Sequence, residues 1–174
     1  MNFLAKQFFE HSVERLYTAV IWGIPAKNEG TVRTRIGRSP RDRKKFQVLT
    51  TAHSGKSAIT HYRVTEKLGA FAVMKLRLET GRTHQIRVHM NHLGHPLFND
   101  AAYGGDKILR TLHLPKYDSF IENCFKLCPR QALHAQTLGF IHPSGKTLSF
   151  EAPLPKDMAL LIGKIRQYIN ILKL

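Results

Sequence analysis

Acidic residues are scarce in this sequence of 174 residues. It has 12 Asp and Glu against 27 Lys and Arg, which gives a formal net charge of +15 before any of the ten histidines is protonated. Surfaces that meet only water usually mix both signs of charge, so an excess this large needs another explanation. It indicates a polyanionic partner.

Cysteine and long apolar runs are also scarce. The two cysteines, Cys124 and Cys128, are too few for a disulfide scaffold or a four-cysteine zinc site, and we interpret them as reduced structural thiols. No apolar run reaches the roughly 18 residues that span a bilayer, and residues 1–10 lack the layout of a secretory signal. The sequence therefore predicts a cytoplasmic protein without membrane contact. Its apolar content of 43% is enough for one compact domain.

The apolar pattern predicts more strands than helices. Strands are predicted over residues 16–22, 58–66, 71–79, 132–141 and 147–150, the last four as two hairpins. Helices are predicted over residues 1–14, over 83–93 with Thr83 as the N-cap, around the two cysteines, and over 158–172. Because hairpins dominate, the predicted fold class is α+β, with a mixed, largely antiparallel sheet and few flanking helices.

The most basic segment is residues 33–45, which we predict to be a loop between short strands. Seven basic residues and one aspartate give it a local charge of +6, and the basic ones are Arg33, Arg35, Arg38, Arg41, Arg43, Lys44 and Lys45. A solvated surface is the plainer interpretation, but phosphate binding explains a nearly single-signed run better, because displaced counterions add favourable free energy. We interpret the last five as contacts to a nucleic-acid backbone, which position a substrate without reading its sequence.

A second dense segment is GRTHQIRVHM, residues 81–90, which brings two arginines and two histidines to the start of a predicted helix. The unpaired backbone N–H groups of a helix start already favour an anion. We therefore interpret Arg82 and His84 as anion-binding residues. Acid–base catalysis by His84 is an alternative, because an imidazole titrates near neutral pH.

A metal site is a further alternative for this segment, since His89, His92 and His95 recur at every third residue. That spacing places the three imidazoles on adjacent helix faces, and His95 lies beyond Gly94, where the predicted helix ends. Catalytic zinc also usually takes its third ligand from elsewhere in the chain. The sequence therefore favours no metal.

Long runs of the sequence resemble the RluA-type pseudouridine synthases. The family's third motif is similar to residues 81–106, GRTHQIRVHMNHLGHPLFNDAAYGGD, and the end of its catalytic domain is similar to residues 130–155, RQALHAQTLGFIHPSGKTLSFEAPLP. Residues 15–23, RLYTAVIWG, resemble the strand that carries the family's active-site tyrosine. Residues 35–48, RIGRSPRDRKKFQV, and 55–64, GKSAITHYRV, resemble the stretch between.

The resemblance implies an RNA pseudouridine synthase acting on ribosomal or transfer RNA without a cofactor. In that reaction the N-glycosidic bond of a uridine breaks, the base turns, and C5 joins the ribose. Arg87 matches the arginine that pairs with the catalytic carboxylate, and a guanidinium suits this role because it can bind both oxygens. Tyr17 matches the tyrosine that lies against the target base and can take the C5 proton. The base must flip out of its stack to reach such a pocket.

One motif of the family is missing. Its nucleophilic aspartate lies in an HRLD-type motif ahead of the tyrosine strand, whereas all five aspartates here follow Tyr17. We therefore expect residues 1–174 to be a single, truncated catalytic domain that is inactive alone. In it Arg87 would lack its carboxylate partner, and open sheet edges would allow self-association, whereas the parent would be monomeric.

Two other classes of protein fit part of the pattern. A basic RNA-binding module could reuse the same scaffold without chemistry. A basic ribosomal or structural protein would explain the charge, but it would not explain the GRTHQIR run.

Overall fold

The structure, a computed structural model, describes residues 3–10, 12–51, 54–109, 114 and 116–172. Within these ranges there are seven strands: β1 Glu14–Trp22, β2 Glu29–Arg38, β3 Phe46–Val48, β4 Lys56–Leu68, β5 Phe71–Leu78, β6 Leu133–Ile141 and β7 Thr147–Glu151. The helices described there are α1 Phe3–Phe9, α2 Gln85–His92, α3 Tyr117–Leu127, α4 Lys156–Leu172 and a 3-10 turn, Ala101–Tyr103. None of these helices is long and apolar enough to cross a membrane.

The described strands form one sheet in the order β3-β2-β4-β5-β1-β6-β7. Each neighbouring pair is antiparallel, so the predicted α+β class and both predicted hairpins are confirmed. The two edge strands have three and five residues, and short edges offer little backbone for pairing with another chain.

The side chains of β1 point alternately to the two faces of the sheet. Val20 and Trp22 point to the face that α3 and α4 cover, where Trp22 packs against Phe71 and Phe98. Ala19 and Ile21 point to the opposite face, which α2 covers. We call this the α2 face. Because side chains on a strand alternate, Tyr17 also lies on the α2 face.

The closing helix forms as predicted. Its apolar side chains recur at intervals of three and four, and the buried ones are Met158, Leu161, Ile162, Ile165 and Ile169. They pack on α3, which carries Cys124 on its buried side. Both cysteines are free and buried, and burial raises the pKa of the Cys124 thiol to about 12. They are structural thiols, as predicted.

Two predicted elements are wrong in extent. Residues 33–38 belong to β2, so only residues 39–45 form the predicted basic loop. Val32 and Ile36 point into the core while the arginines between them point away from it, and this alternation is what a strand requires. The first helix ends at Phe9, earlier than predicted, and Val13 is already buried next to the start of β1. Residues 1, 2 and 11 of the predicted helix lie outside the described residues.

Candidate active site

Arg87 has a carboxylate partner in this chain. Its Nε donates to Asp100 Oδ2 at 2.8 Å and its Nη2 donates to Asp100 Oδ1 at 2.6 Å. The Asp100 side chain is fully buried, and that of Arg87 is 15% exposed. The hydrogen bonds to Asp100 raise the pKa of Arg87 above its usual value. The expectation that Arg87 has no carboxylate partner within this chain is therefore wrong, whereas its pairing with the family's catalytic carboxylate stays a prediction.

The loop 96–105 fixes the position of Asp100. Its backbone is tied to β1, because Trp22 N–H donates to Pro96 O and Phe98 N–H donates to Val20 O. The indole of Trp22 closes the loop with a 2.8 Å hydrogen bond to Gly105 O. A side chain at Gly105 would place its Cβ 1.8 Å from Leu97 O, so the loop requires glycine there. The carboxylate is thus held by the core of the domain.

Tyr103 links Arg87 to two other segments. Its ring covers the Arg87 guanidinium at 4.9 Å, a cation–π contact. Its hydroxyl oxygen accepts the Phe46 N–H at 3.1 Å and lies 2.9 Å from His84 Nδ1. Tyr103 therefore joins α2 to β3, at the end of the basic loop.

The start of α2 differs from the prediction. Thr83 is exposed and is not the N-cap. His84 takes that position, with a left-handed φ of 56° and no side-chain capping bond. The side chain of Gln85 compensates, because its Oε1 accepts the Arg82 N–H and the Thr80 hydroxyl. A non-glycine residue at positive φ is held by such surroundings at a cost of about 1–3 kcal/mol.

The basic loop lies at the same end of the sheet as α2. Arg41, Arg43 and Lys44 are exposed, while Lys45 lies 3.9 Å from Asp42. Arg38 stacks on the Phe46 ring at 5.3 Å, and that ring meets His84 edge-on. Arg82 donates from Nε to Ser57 O at 2.8 Å, beside β2. Of the sequence-predicted RNA contacts, His84 therefore touches Tyr103 directly, and Arg38 is linked to it through Phe46.

Tyr17 lies apart from this cluster. It is half-buried on β1, where it pairs with Leu76 and Ala135. It packs against the apolar cluster that includes Ile86 and Met90 of α2. Tyr17 and Arg87 therefore lie on the same face of the sheet, but the described contacts of the Arg87 guanidinium are with Asp100 and Tyr103.

Arg15 was missed by sequence reasoning. It lies two residues before Tyr17 on the same face of β1, and its Nε and Nη2 are buried without a hydrogen-bond partner among the described residues. A Cβ on Gly81 would be 2.5 Å from its Nη1, so Arg15 lies against the start of the GRTHQIR run. The Phe8 ring lies 5.9 Å from its guanidinium. The sequence signal that could have identified Arg15 is strand alternation, because residues two apart on a strand lie on the same face and Tyr17 is already a candidate.

The three histidines of the metal hypothesis have different surroundings. His89 is buried between the hydroxyls of Thr60 and Thr34, both at 2.8 Å. His95 lies beyond the helix and bonds to Trp22 O at 2.9 Å through Nδ1. Within the described residues no group of three or more His, Cys, Asp or Glu side chains could hold a metal ion.

Comparison with known proteins bears on this geometry. A model of the RNA pseudouridylate synthase family matches residues 1–92, a stretch that includes Arg15, Tyr17 and residues 81–87. The chain belongs to this family, as the resemblance implied.

Relatives extend the match along the chain. An RNA pseudouridine synthase of Chlorobaculum parvum is 50% identical over 94% of this chain and 50% of its own length. Ribosomal large subunit pseudouridine synthase D of Neisseria meningitidis is 45% identical over 95% of this chain and 42% of its own length. The chain thus spans about half the length of these curated relatives.

The fold is shared with a solved structure. Human RNA pseudouridylate synthase domain containing 4 superposes with a TM-score of 0.69 at 23% identity, covering 94% of this chain and 66% of that one. This likeness supports the fold.

Proposed function

We propose that this chain is part of an enzyme that isomerises uridine to pseudouridine in structured RNA, in the cytoplasm and without a cofactor. The observation that carries the proposal is the family match over residues 1–92, which contains the tyrosine strand and the GRTHQIR run. Ribosomal RNA is the preferred substrate over transfer RNA, because several relatives are named for the large ribosomal subunit.

The proposed role of Tyr17 is to lie against the flipped uracil and take the proton from C5. Its half-buried position supports this role, since one side of the ring packs on the core while the rest stays accessible. A phenol combines a ring that can stack with an oxygen that can bond. A few kcal/mol of unstacking must be offset by such contacts.

The proposed role of Arg87 is to hold the catalytic carboxylate. Asp100 uses Nε and one N–H of Nη2, and a guanidinium has five N–H groups, so Nη1 remains available to a second carboxylate. Asp100 would then orient Arg87 rather than compete with the nucleophile. Arg15 is a second candidate for this role, because its Nε and Nη2 lack partners among the described residues.

The chain alone is expected to be inactive, because the motif that carries the family's nucleophilic aspartate is missing. The experiment fuses this chain behind the part of the Chlorobaculum parvum relative that it does not match, and measures tritium release from ribosomal RNA labelled at uridine C5. We expect release by the fusion and none by the chain alone. Pseudouridine made by the chain alone would contradict the expected inactivity, and an inactive but RNA-binding fusion would favour the non-catalytic module.

Single changes in the fusion test the roles. Tyr17→Phe should lower the rate by about 100-fold or more, the usual contribution of a proton-transfer group, while RNA affinity is kept. Tyr62→Phe is the matched control, because it removes a half-buried phenol hydroxyl from another strand on the same face. Arg87→Lys and Arg15→Lys are then compared, and the variant with the greater loss of rate at unchanged RNA affinity identifies the arginine that holds the carboxylate.

The basic loop is proposed to bind the RNA backbone. Its three exposed cations have no described carboxylate within salt-bridge distance. Arg43→Ala should lower the slope of log affinity against log salt by about 1, because one phosphate contact is lost. Lys164→Ala, on the far face of the sheet in α4, is the control and should leave the slope unchanged.

A further inference from the structure

We infer that Tyr103 is a positioning residue that holds His84 as its Nε2–H tautomer, so that His84 offers RNA a fixed, uncharged hydrogen-bond donor. The inference rests on the proposed function for its RNA partner. The tautomer itself follows from the contacts of the chain alone.

The first step is to count protons at the Tyr103 hydroxyl. Its oxygen accepts the Phe46 N–H at 3.1 Å, and its one proton is available for the His84 Nδ1 at 2.9 Å. A tyrosine hydroxyl has a single proton to donate. If His84 Nδ1 carried a proton, the oxygen would accept two N–H bonds and its own proton would have no acceptor among the described residues. Within the part of the chain that the structure describes, only an unprotonated Nδ1 gives all three groups a partner.

The second step concerns the other imidazole nitrogen. In a neutral imidazole with an unprotonated Nδ1, the proton is on Nε2. The described hydrogen bonds of the His84 side chain are through Nδ1, and the side chain is half-buried. The Nε2–H is therefore the free donor of this residue.

The third step is that the surroundings keep the ring neutral. Burial is the main cause that lowers the pKa of His84, and the nearby charge of Arg87 lowers it further, while Asp100 acts in the opposite direction. The ring is held edge-on against both Phe46 and Tyr103. A fixed ring with one defined proton is a selective donor to an oxygen acceptor.

The fourth step is location. His84 lies between Arg82 and the basic loop, and it touches Phe46, on which Arg38 stacks. It also occupies a left-handed backbone position that asparagine or glycine would adopt more easily. The geometry thus places a strained histidine among the proposed RNA contacts, and strain of this kind clusters at binding sites.

The first test uses the unaltered chain labelled with ¹⁵N. Long-range proton–nitrogen correlation spectra at pH 7 report which nitrogen of each histidine is protonated, and His84→Asn assigns the signal by removing it. We expect His84 to show a protonated Nε2 and an unprotonated Nδ1. A protonated Nδ1, or an even mixture of tautomers, would overturn the inference without any reference to RNA.

The second test is the variant Tyr103→Phe, which keeps the ring over Arg87 and removes the hydroxyl. We expect the His84 signals to move toward a mixture of tautomers. Tyr62→Phe is the control and should leave them in place. If Tyr103→Phe does not fold, the spectrum of the unaltered chain still decides the tautomer.

The third test measures affinity for a ribosomal RNA fragment at fixed salt. We expect His84→Asn and Tyr103→Phe each to weaken binding by about 3- to 10-fold, as loss of one neutral hydrogen bond would. The double variant should bind no more weakly than His84→Asn, because Tyr103 acts through His84. Additive losses would overturn the inference. Absence of RNA binding by the unaltered chain would instead contradict the proposed function and leave the tautomer result standing.

Discussion

Helix α2 and the start of β1 each contain a partly buried arginine, with opposite surroundings. Arg87 has both oxygens of Asp100, the Tyr103 ring and a position fixed by the core. Arg15 has the Phe8 ring nearby, but two of its nitrogens are buried without a hydrogen-bond partner among the described residues. In the first region the guanidinium is paired with a carboxylate, whereas in the second two buried donors have no acceptor among the described residues.

This difference predicts how substitutions in each region change the free energy of unfolding. Removing one partner of a buried pair leaves a charge without compensation, which costs much more than the pair itself contributes. An arginine that already lacks a partner bears that cost in the native state. The same substitution should therefore act in opposite directions in the two regions.

The largest effect is expected for Asp100→Ala, which strips Arg87 of its partner. The free energy of unfolding should fall by about 3–5 kcal/mol, because the guanidinium is left buried and unpaired. Denaturant unfolding measures this loss. Asp106→Ala, an exposed aspartate six residues further on, should stay within about 0.5 kcal/mol. Similar losses for both variants would show that the ion pair is not what holds the loop.

A pH-dependent effect of comparable size is expected at His89, two residues after Arg87 in α2. Burial lowers the pKa of His89 from 6.5 to about 4 in the folded chain. The unfolded chain then binds a proton more readily, so stability is full above pH 6.5 and falls as the pH drops toward 4. The loss amounts to about 3 kcal/mol, at 1.36 kcal/mol per pH unit.

Unfolding measured between pH 7 and 4 checks this dependence. His89→Gln should flatten the slope over that range, because glutamine does not titrate. His142→Gln, in the exposed turn between β6 and β7, should keep the slope of the unaltered chain. A slope unaffected by His89→Gln would assign the acid sensitivity to another group.

The contrast between the two arginines also shows what the sequence could predict. Strands, hairpins and the closing helix follow from apolar periodicity, which burial on one face dictates, and the resemblance identified the family. The partner of Arg87 did not follow, although Asp100 stands in the quoted run beside the buried Leu97 and Phe98. Its pairing depends on the path of loop 96–105, which is fixed by hydrogen bonds to β1 that leave no periodic signal.

The start of α2 was unpredictable for a related reason. A threonine before a helix is a usual cap, but here Gln85 satisfies the Arg82 N–H with its side chain and also donates to Ile59 O at 3.0 Å. Contacts across the sheet thus override the local preference. Likewise, the sequence predicts a loop for the arginines of β2 because their charge obscures the alternation of Val32 and Ile36.

Replacing Arg15 and Arg87 each by methionine tests the contrast between them directly. Arg15→Met removes unsatisfied donors but keeps an unbranched side chain, so the free energy of unfolding should rise by about 1–2 kcal/mol. Arg87→Met should lower it, because Asp100 is then buried without a partner. Thermal and denaturant unfolding both report the sign. If both variants were destabilised equally, Arg15 would have a partner in solution, and the contrast between the regions would fail.

The smallest effect is expected in α1, the helix that lies beside Arg15. Phe9 is 77% exposed, whereas Phe98 is fully buried against Trp22. Phe9→Ser should therefore change the free energy of unfolding by less than about 0.5 kcal/mol, while Phe98→Ala should cost about 3–5 kcal/mol. Sedimentation velocity of the Phe9→Ser variant adds a second readout. Less self-association would place the contact between copies on α1, and unchanged association would leave it with the sheet edges, where unpaired backbone groups can still pair.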